Sequence, residues 1–213
     1  MAMEMPQPTT PGSDSYRTVA RYAEHEIKVE GSRFVGRVRA VSSQAETGSF
    51  LADIQRTFHD ATHHCFAYRL GCGAQMSVRF SDAGEPPGTA GRPLLAALEA
   101  RQLTNTIVVV TRYFGGVKLG TGGLARAYGR CAAETLDRAG VVERFLTRSF
   151  AVTFPYHLQH AVLQVLRQVQ GKVLACDFRD EATLLVAVRQ GLAEQFLKRL
   201  MDATSGKAVV RPA

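Results

Sequence analysis

Arg148-Ser-Phe-Ala-Val-Thr-Phe154, closed by Pro155, is the stretch from which the fold of this chain is read most directly. Apolar and polar residues alternate along it as in a strand with one buried face, and proline lacks the N–H that a continuing ladder needs. The period then changes. Leu158, Ala161, Val162, Val165, Leu166 and Val169 fall on one face of a helix, and Gly171 is placed to stop it as a left-handed cap. Lys172 to Phe178 and Thr183 to Arg189 are strand-like runs around the polar turn Arg179-Asp-Glu181. Leu192, Phe196, Leu197, Leu200 and Met201 mark a second helix, broken at Ser205 and Gly206 before a last short strand, Lys207 to Arg211. The order β-α-β-β-α-β predicts a ferredoxin-like domain over residues 147–213.

Working back from that domain, Tyr16 to Val29 and Ser32 to Val41 are extended segments meeting at a Glu30-Gly31 turn. Ser49 to Asp60 is expected to be helical, with Phe50, Leu51, Ile54 and Phe58 inward. His63 to Leu70 and Gln75 to Phe80 are two strands around Gly71 to Gly73, and a turn-rich loop, Ser81 to Pro93, leads into a helix holding Leu94, Leu95 and Leu98. Thr106 to Thr111, with one Ile and three Val in succession, predicts a buried strand. Leu124, Ala127, Tyr128, Cys131 and Leu136 mark a long helix ending at Gly140, with Cys131 a core residue. These elements form an N-terminal domain over residues 16–142. The fold class is α+β, and 213 residues suffice for two small cores.

Composition narrows the function classes. Hydrophobic residues make up 46% and charged residues 21%, the balance of a folded protein. No apolar run approaches the roughly 20 residues needed to span a bilayer. Met1 to Ser15 lacks an apolar signal-peptide core and is expected to be a disordered tail. The four cysteines, Cys65, Cys72, Cys131 and Cys176, form no CxxC pair, so reduced thiols in the cytoplasm are expected. Net charge is +7, which favours acidic partners. The charge is concentrated: Arg112, Lys118, Arg126 and Arg130 lie in a stretch that holds no acid.

That stretch is also where the glycines are. Arg112-Tyr-Phe-Gly-Gly-Val-Lys-Leu-Gly-Thr-Gly-Gly-Leu-Ala-Arg-Ala127 runs from the end of the buried strand into the long helix. Gly115, Gly116, Gly120, Gly122 and Gly123 leave the backbone open to close approach, and Thr121 is placed to cap the helix. Free N–H groups in the first turn, helped by the helix dipole and by Arg112, Lys118, Arg126 and Arg130, make an anion site. The Gly-Lys-Ser/Thr ending of a nucleotide-hydrolysing loop is absent. The competing view is a glycine turn that only lets strand and helix pack. Tyr113 and Phe114 either stack on bases of single-stranded RNA or belong to the core.

A second constellation is Ser81-Asp-Ala-Gly-Glu-Pro-Pro-Gly-Thr-Ala-Gly-Arg-Pro93. Asp82 and Glu85 can do acid–base work or hold a cation; they can equally cap turns or pair with Arg92 or the basic loop. Thr89 is placed to cap the next helix. A third is His63-His64-Cys65. Neighbouring strand residues face opposite sides, so His63 and His64 do not share one metal ion, and no zinc spacing is present. One of the two remains a candidate contact to phosphate or base. The sequence implies neither a metal nor a cofactor.

Gly31-Ser-Arg-Phe34, Ala61-Thr-His-His-Cys-Phe-Ala-Tyr68, the Ser81–Gly91 segment and Val110 through Tyr128 together resemble the IMPACT family, in its bacterial, YigZ-like form. The resemblance spans the folded chain. It implies an N-terminal domain like domain 2 of ribosomal protein S5 and a ferredoxin-like C-terminal domain, similar to the last domains of translocating elongation factors. Ala83 stands where the family carries a second acid. The family's eukaryotic member regulates translation under amino-acid starvation by competing for the activator of a stress kinase, and the bacterial fold suggests binding of nucleic acid or the ribosome. The proline-dipeptidase activity ascribed to some relatives lacks a metallopeptidase ligand set here. A non-enzymatic RNA- or ribosome-binding protein acting on translation is therefore expected. An enzyme or sensor for a phosphorylated metabolite at the glycine loop, and a module that binds a protein partner, are the alternatives.

Overall fold

A computed structural model describes residues 14–213. The tail expected over residues 1–15 lies outside the described residues up to position 13, and Ser15 already opens a strand, β1 (Ser15–Val19). After a break at Ala20–Tyr22 come β2 (Ala23–Val29) and β3 (Ser32–Ala40), joined by a tight turn in which Glu30 and Gly31 both have positive φ. That is the backbone a two-residue hairpin needs. The single extended run expected from Tyr16 to Val29 is thus two strands, of which β1 pairs with β7 (Val141–Phe145) instead of joining the hairpin's sheet.

The remaining elements of this part are α1 (Gln44–Thr57), β4 (His63–Leu70), β5 (Ser77–Ser81), α2 (Gly91–Ala100), β6 (Thr106–Tyr113) and α3 (Gly120–Ala139). Helix α1 starts five residues before the expected Ser49. Ser43 caps it by accepting the Glu46 N–H, and the Glu46 carboxylate accepts from the Ser42 N–H and hydroxyl, so the helix begins a full turn before its first buried aromatic, Phe50.

The five strands are ordered β2-β3-β6-β4-β5, each antiparallel to its neighbours. Central β6 is buried because helices cover both faces. Val108 and Val110 meet α2 and α3 in a core with Phe34, Leu94, Leu98, Tyr128 and Leu136. Ile107 and Val109, one residue out of phase, meet Phe50 and Ile54 of α1.

The C-terminal unit comprises β8 (Thr147–Phe154), α4 (Gln159–Gln168), β9 (Lys172–Phe178), β10 (Ala182–Arg189), α5 (Ala193–Thr204) and β11 (Val209–Pro212). Its antiparallel sheet has the order β11-β8-β10-β9, the ferredoxin-like arrangement. Phe150, Val152, Phe154, Leu184, Val186 and Val188 bury one face against Val162, Leu166, Phe196 and Leu200. The end of α4 differs from expectation in detail. Gln170, not Gly171, is the left-handed residue (φ 54°), and its N–H and that of Gly171 donate to the carbonyls of Arg167 and Leu166. In this Schellman arrangement a Cβ at Gly171 would lie 2.3 Å from Cδ1 of the buried Leu166, so that side chain would have to shift. Among the described residues no helix is long and apolar enough to cross a membrane.

Candidate functional site

Beyond β6 the chain turns sharply before α3. The Gly115 N–H donates to Ser32 Oγ (3.2 Å) and the Phe114 N–H to Thr62 Oγ1 (3.1 Å). A Cβ on Gly115 would lie 1.9 Å from the carbonyl carbon of Gly31, so this glycine lets the loop press against the β2–β3 turn. Gly116 and Gly120 have positive φ (87° and 66°) with open space around them. The five glycines therefore divide: Gly115 packs, Gly116 and Gly120 shape the turn, and Gly122 and Gly123 lie in the first turn of α3.

Thr121 does not cap α3. The helix begins at Gly120, one residue earlier, and the preceding residue, Leu119, has no polar side chain. The N–H groups of the first turn thus lack a side-chain acceptor, and no acid lies among them. Lys118, Arg126 and Arg130 are exposed and line a cleft of about 500 Å³ with Leu119 and Gly123, with Glu30 as the acid on its rim. Arg130 is tethered: its Nε donates to Glu134 (2.7 Å), which also accepts from His25 Nε2 (2.6 Å). Arg130, then His25, hold the Glu134 carboxyl below its ordinary range.

Arg112, expected beside these cations, turns inward. Its side chain is only 6% exposed; Nη1 donates to Glu85 Oε1 (2.7 Å) and Nη2 to Ser32 Oγ (3.3 Å). The guanidinium lies 5.4 Å from the Phe34 ring and 5.5 Å from that of Phe114. The Tyr128 hydroxyl donates to the same Glu85 oxygen at 2.7 Å. Arg112 is thus part of a buried anchor and not of the basic surface.

The Ser81–Gly91 loop is organised by its two carboxylates. Asp82 Oδ1 accepts from the N–H groups of Ala90 and Gly91 (2.9 and 2.8 Å), and Oδ2 from that of Gly88 (2.9 Å). Asp82, not Thr89, therefore satisfies the start of α2, while the Thr89 hydroxyl donates to the Pro86 carbonyl. Partial burial pushes the Asp82 carboxyl up, but the three N–H donors outweigh it and leave it below its ordinary range. His63 Nδ1 donates to the Ala83 carbonyl (2.9 Å), and its Nε2 stands 3.9 Å from Glu85. The Cys65 thiol donates to the Asp82 carbonyl (2.9 Å), and burial pushes its pKa up to about 12. Burial also pushes the Tyr128 phenol up, so both stay protonated. The Ala83 side chain is exposed.

His64 and Tyr113 lie on the other face of the sheet. His64 Nδ1 lies 3.2 Å from Thr111 Oγ1, and burial pushes its imidazole down. The Tyr113 hydroxyl donates to Asp60, with the Arg33 guanidinium over the ring. Arg92 lies over the Phe80 ring, 5.5 Å away. The structure therefore brings Lys118, Gly120–Gly123, Arg126 and Arg130 together at one cleft. It joins Glu85 and Arg112 in the anchor beneath, with His63 3.9 Å from Glu85, places Asp82 at the start of α2, and leaves His64, Tyr113 and Arg92 elsewhere. Among the described residues no three or more His, Cys, Asp or Glu gather as metal ligands would. Sequence reasoning missed Tyr128 and Ser32 as members of the anchor; a buried tyrosine's need for a hydroxyl partner was the one available signal.

These features define a two-domain α+β protein with a basic helix terminus mounted on a buried Arg–Glu–Tyr anchor. Residues 30–136 match the Impact N-terminal domain, and residues 152–207 match a domain of unknown function, DUF1949. The chain is 38% identical to the IMPACT family member YvyE of Bacillus subtilis, over 92% of this chain and 90% of that protein. It is 31% identical to the IMPACT family member YigZ of Escherichia coli, over 84% and 88%. A crystal structure of a hypothetical protein, 28% identical, superposes with a TM-score of 0.69 over 94% of this chain and 98% of that one. The chain belongs to the IMPACT family.

Proposed function

We propose that this protein binds RNA, free or within the ribosome, through the cleft at the start of α3 and thereby acts on translation. The observation that carries this reading is the uncapped, acid-free first turn of α3, opening beside the exposed side chains of Lys118, Arg126 and Arg130. A phosphate seated there meets backbone N–H donors, the positive end of a 20-residue helix and exposed cations together. The link to translation rests on the family resemblance. The reading is of a binding protein: Glu85, a carboxylate near the loop, is held by Arg112 and Tyr128 below the surface.

The test is binding of short single- and double-stranded RNA across a salt series, with Lys118→Ala/Arg126→Ala alongside. For every phosphate that is no longer neutralised, the logarithmic salt slope should flatten by roughly 0.7 to 0.9. Unchanged affinity and slope in the double variant would remove the cleft from the proposal. A cleft of about 500 Å³ also suits a phosphorylated metabolite. A thermal shift with a sugar phosphate, abolished in Gly122→Val, together with no RNA binding, would favour that second reading.

A further inference from the structure

A second groove in the N-terminal domain is larger than the cleft at the glycine loop. It lies on the opposite face of the sheet, between α1 and the β2–β3 hairpin, with a volume of about 620 Å³. Its existence follows from the fold: α1 covers β4 and β6, through Tyr68, Leu70, Ile107 and Val109, and leaves the β2–β3 side of that face open. Ile54, Phe50 and Phe58 supply an apolar floor, and Arg21, Arg39 and Arg144 stand at the exposed rim.

The charges within the groove are unequal. Its two acids are already engaged: Glu24 accepts from Arg37 Nε (2.8 Å) and from the Tyr22 hydroxyl (3.1 Å), and Asp53 pairs with Arg56. Among the described residues none of Arg21, Arg39 and Arg144 is in an ion pair, although Arg21 donates to the Arg138 carbonyl and Arg39 lies within electrostatic range of Glu46. An apolar floor ringed by three guanidinium groups that form no ion pair suits an anionic ligand with an apolar side.

The aromatic rings decide what kind of anion. The Phe58 face is covered by the Arg37 guanidinium, 3.7 Å from its centroid, and that arginine is buried. Arg39 lies over Phe50 at 5.4 Å, and Tyr22 packs edge-on to the same ring. The floor rings therefore have little free face for stacking a nucleobase, the interaction on which single-stranded RNA recognition depends. Arg37 is already engaged with Glu24 and Thr111, whereas Arg39, over Phe50, forms no ion pair, and a guanidinium fork can grip a carboxylate with two parallel hydrogen bonds.

We propose that this groove is a docking site for a peptide segment of a partner protein in which Asp or Glu residues are interleaved with apolar ones. The carboxylates engage Arg39 and Arg144, and the apolar side chains meet Phe50 and Ile54. The site is independent of the cleft at α3, and both can be occupied at once because they lie on opposite faces of the sheet.

The test is selection from a phage-displayed library of random 16-residue peptides against the full chain, followed by affinity measurement of the enriched peptides by fluorescence anisotropy. The expected result is enrichment of acidic–apolar sequences whose affinity falls at least about tenfold in Arg39→Glu/Arg144→Glu, the scale of a single charge-assisted hydrogen bond. Affinity should be unchanged in Lys118→Ala/Arg126→Ala. Both substituted arginines are exposed, and an unaltered melting temperature would establish that the variant is folded. Enriched peptides without acidic residues, or binding indifferent to the charge reversal, would overturn the proposal. So would loss of binding to a 12-nucleotide oligouridine in Arg39→Glu/Arg144→Glu alone, because the groove would then be a nucleic-acid site.

Discussion

Arg112 and Glu85, 27 residues apart in sequence, meet at 2.7 Å with side chains only 6% and 3% exposed. The pair ties the end of β6 to the Ser81–Gly91 loop, and Tyr128 brings α3 to the same carboxylate oxygen. One carboxylate thus joins three segments beneath the glycine loop.

Removing that carboxylate should be costly. Glu85→Ala leaves a buried guanidinium and a buried hydroxyl without their acceptor, a loss of about 3 to 5 kcal/mol by comparison with other broken buried pairs. Urea denaturation of Glu85→Ala and of the double variant Glu85→Ala/Arg112→Met measures it. The double variant, which removes both charges, should recover part of the loss. Equal stability of the single variant and the parent would mean that the pair does not hold the loop.

Asp82 should show a different signature, because it accepts only from backbone N–H groups. Asp82→Asn keeps the shape, but its amide nitrogen cannot accept, so about 1 kcal/mol is lost at neutral pH. The folded-state pKa of Asp82 lies below its ordinary value, so its contribution is present above the unfolded pKa of about 4 and fades as pH falls through the folded value. The stability gap between parent and Asp82→Asn should therefore be constant from pH 7 to about 5 and narrow below about 4. A gap that widens on acidification would refute this role.

How far the sequence reveals this arrangement depends on the element. The C-terminal domain is legible because each element has its own period and its own breaker, from Pro155 to Gly206. The buried strand of the N-terminal domain is legible in the same way from Thr106 to Thr111, and the α+β class from the order of elements as a whole. Arg112 is legible in part: two residues beyond Val110, it shares the face that meets α2 and α3, and that parity points it inward. Its charge suggests a surface contact, and the partner that lets a cation be buried, Glu85, comes from a loop with no period to read. Thr89 and Thr121 are natural cap candidates, yet at α2 a more distant carboxylate reaches the N–H groups first, and α3 begins one residue before its threonine. Caps supplied from outside the local segment leave no local signal.

The two adjacent glycines at positions 115 and 116 should respond differently to alanine. At Gly115 the new Cβ would overlap the Gly31 backbone, and neither side can yield without moving the β2–β3 turn or the loop itself. At Gly116 nothing lies within 4 Å, and the penalty is the positive φ of 87° alone, about 1 to 2 kcal/mol. Thermal melts should show Gly115→Ala as the more destabilised of the two, and RNA binding should suffer with it if the loop presents the first turn of α3. The reverse order would mean that the approach to Gly31 relaxes easily.

If the cleft binds phosphate as proposed, Glu134 is placed to compete with it for Arg130. It holds the Arg130 Nε at 2.7 Å, and with His25 it places a carboxylate on the α3 face that borders the cleft. The ion pair is largely exposed, so solvent and salt screen it and it is weak. Glu134→Gln removes the charge and frees the guanidinium, and the gain in RNA affinity should be correspondingly modest, roughly 1.5- to 5-fold at low salt. The salt slope should steepen by no more than about one phosphate's worth. Combining it with Arg130→Ala separates the two possible origins of a gain. If Glu134 acts only by occupying Arg130, the double variant should bind no better than Arg130→Ala alone. If a gain persists without Arg130, the carboxylate instead repels phosphate directly across the cleft.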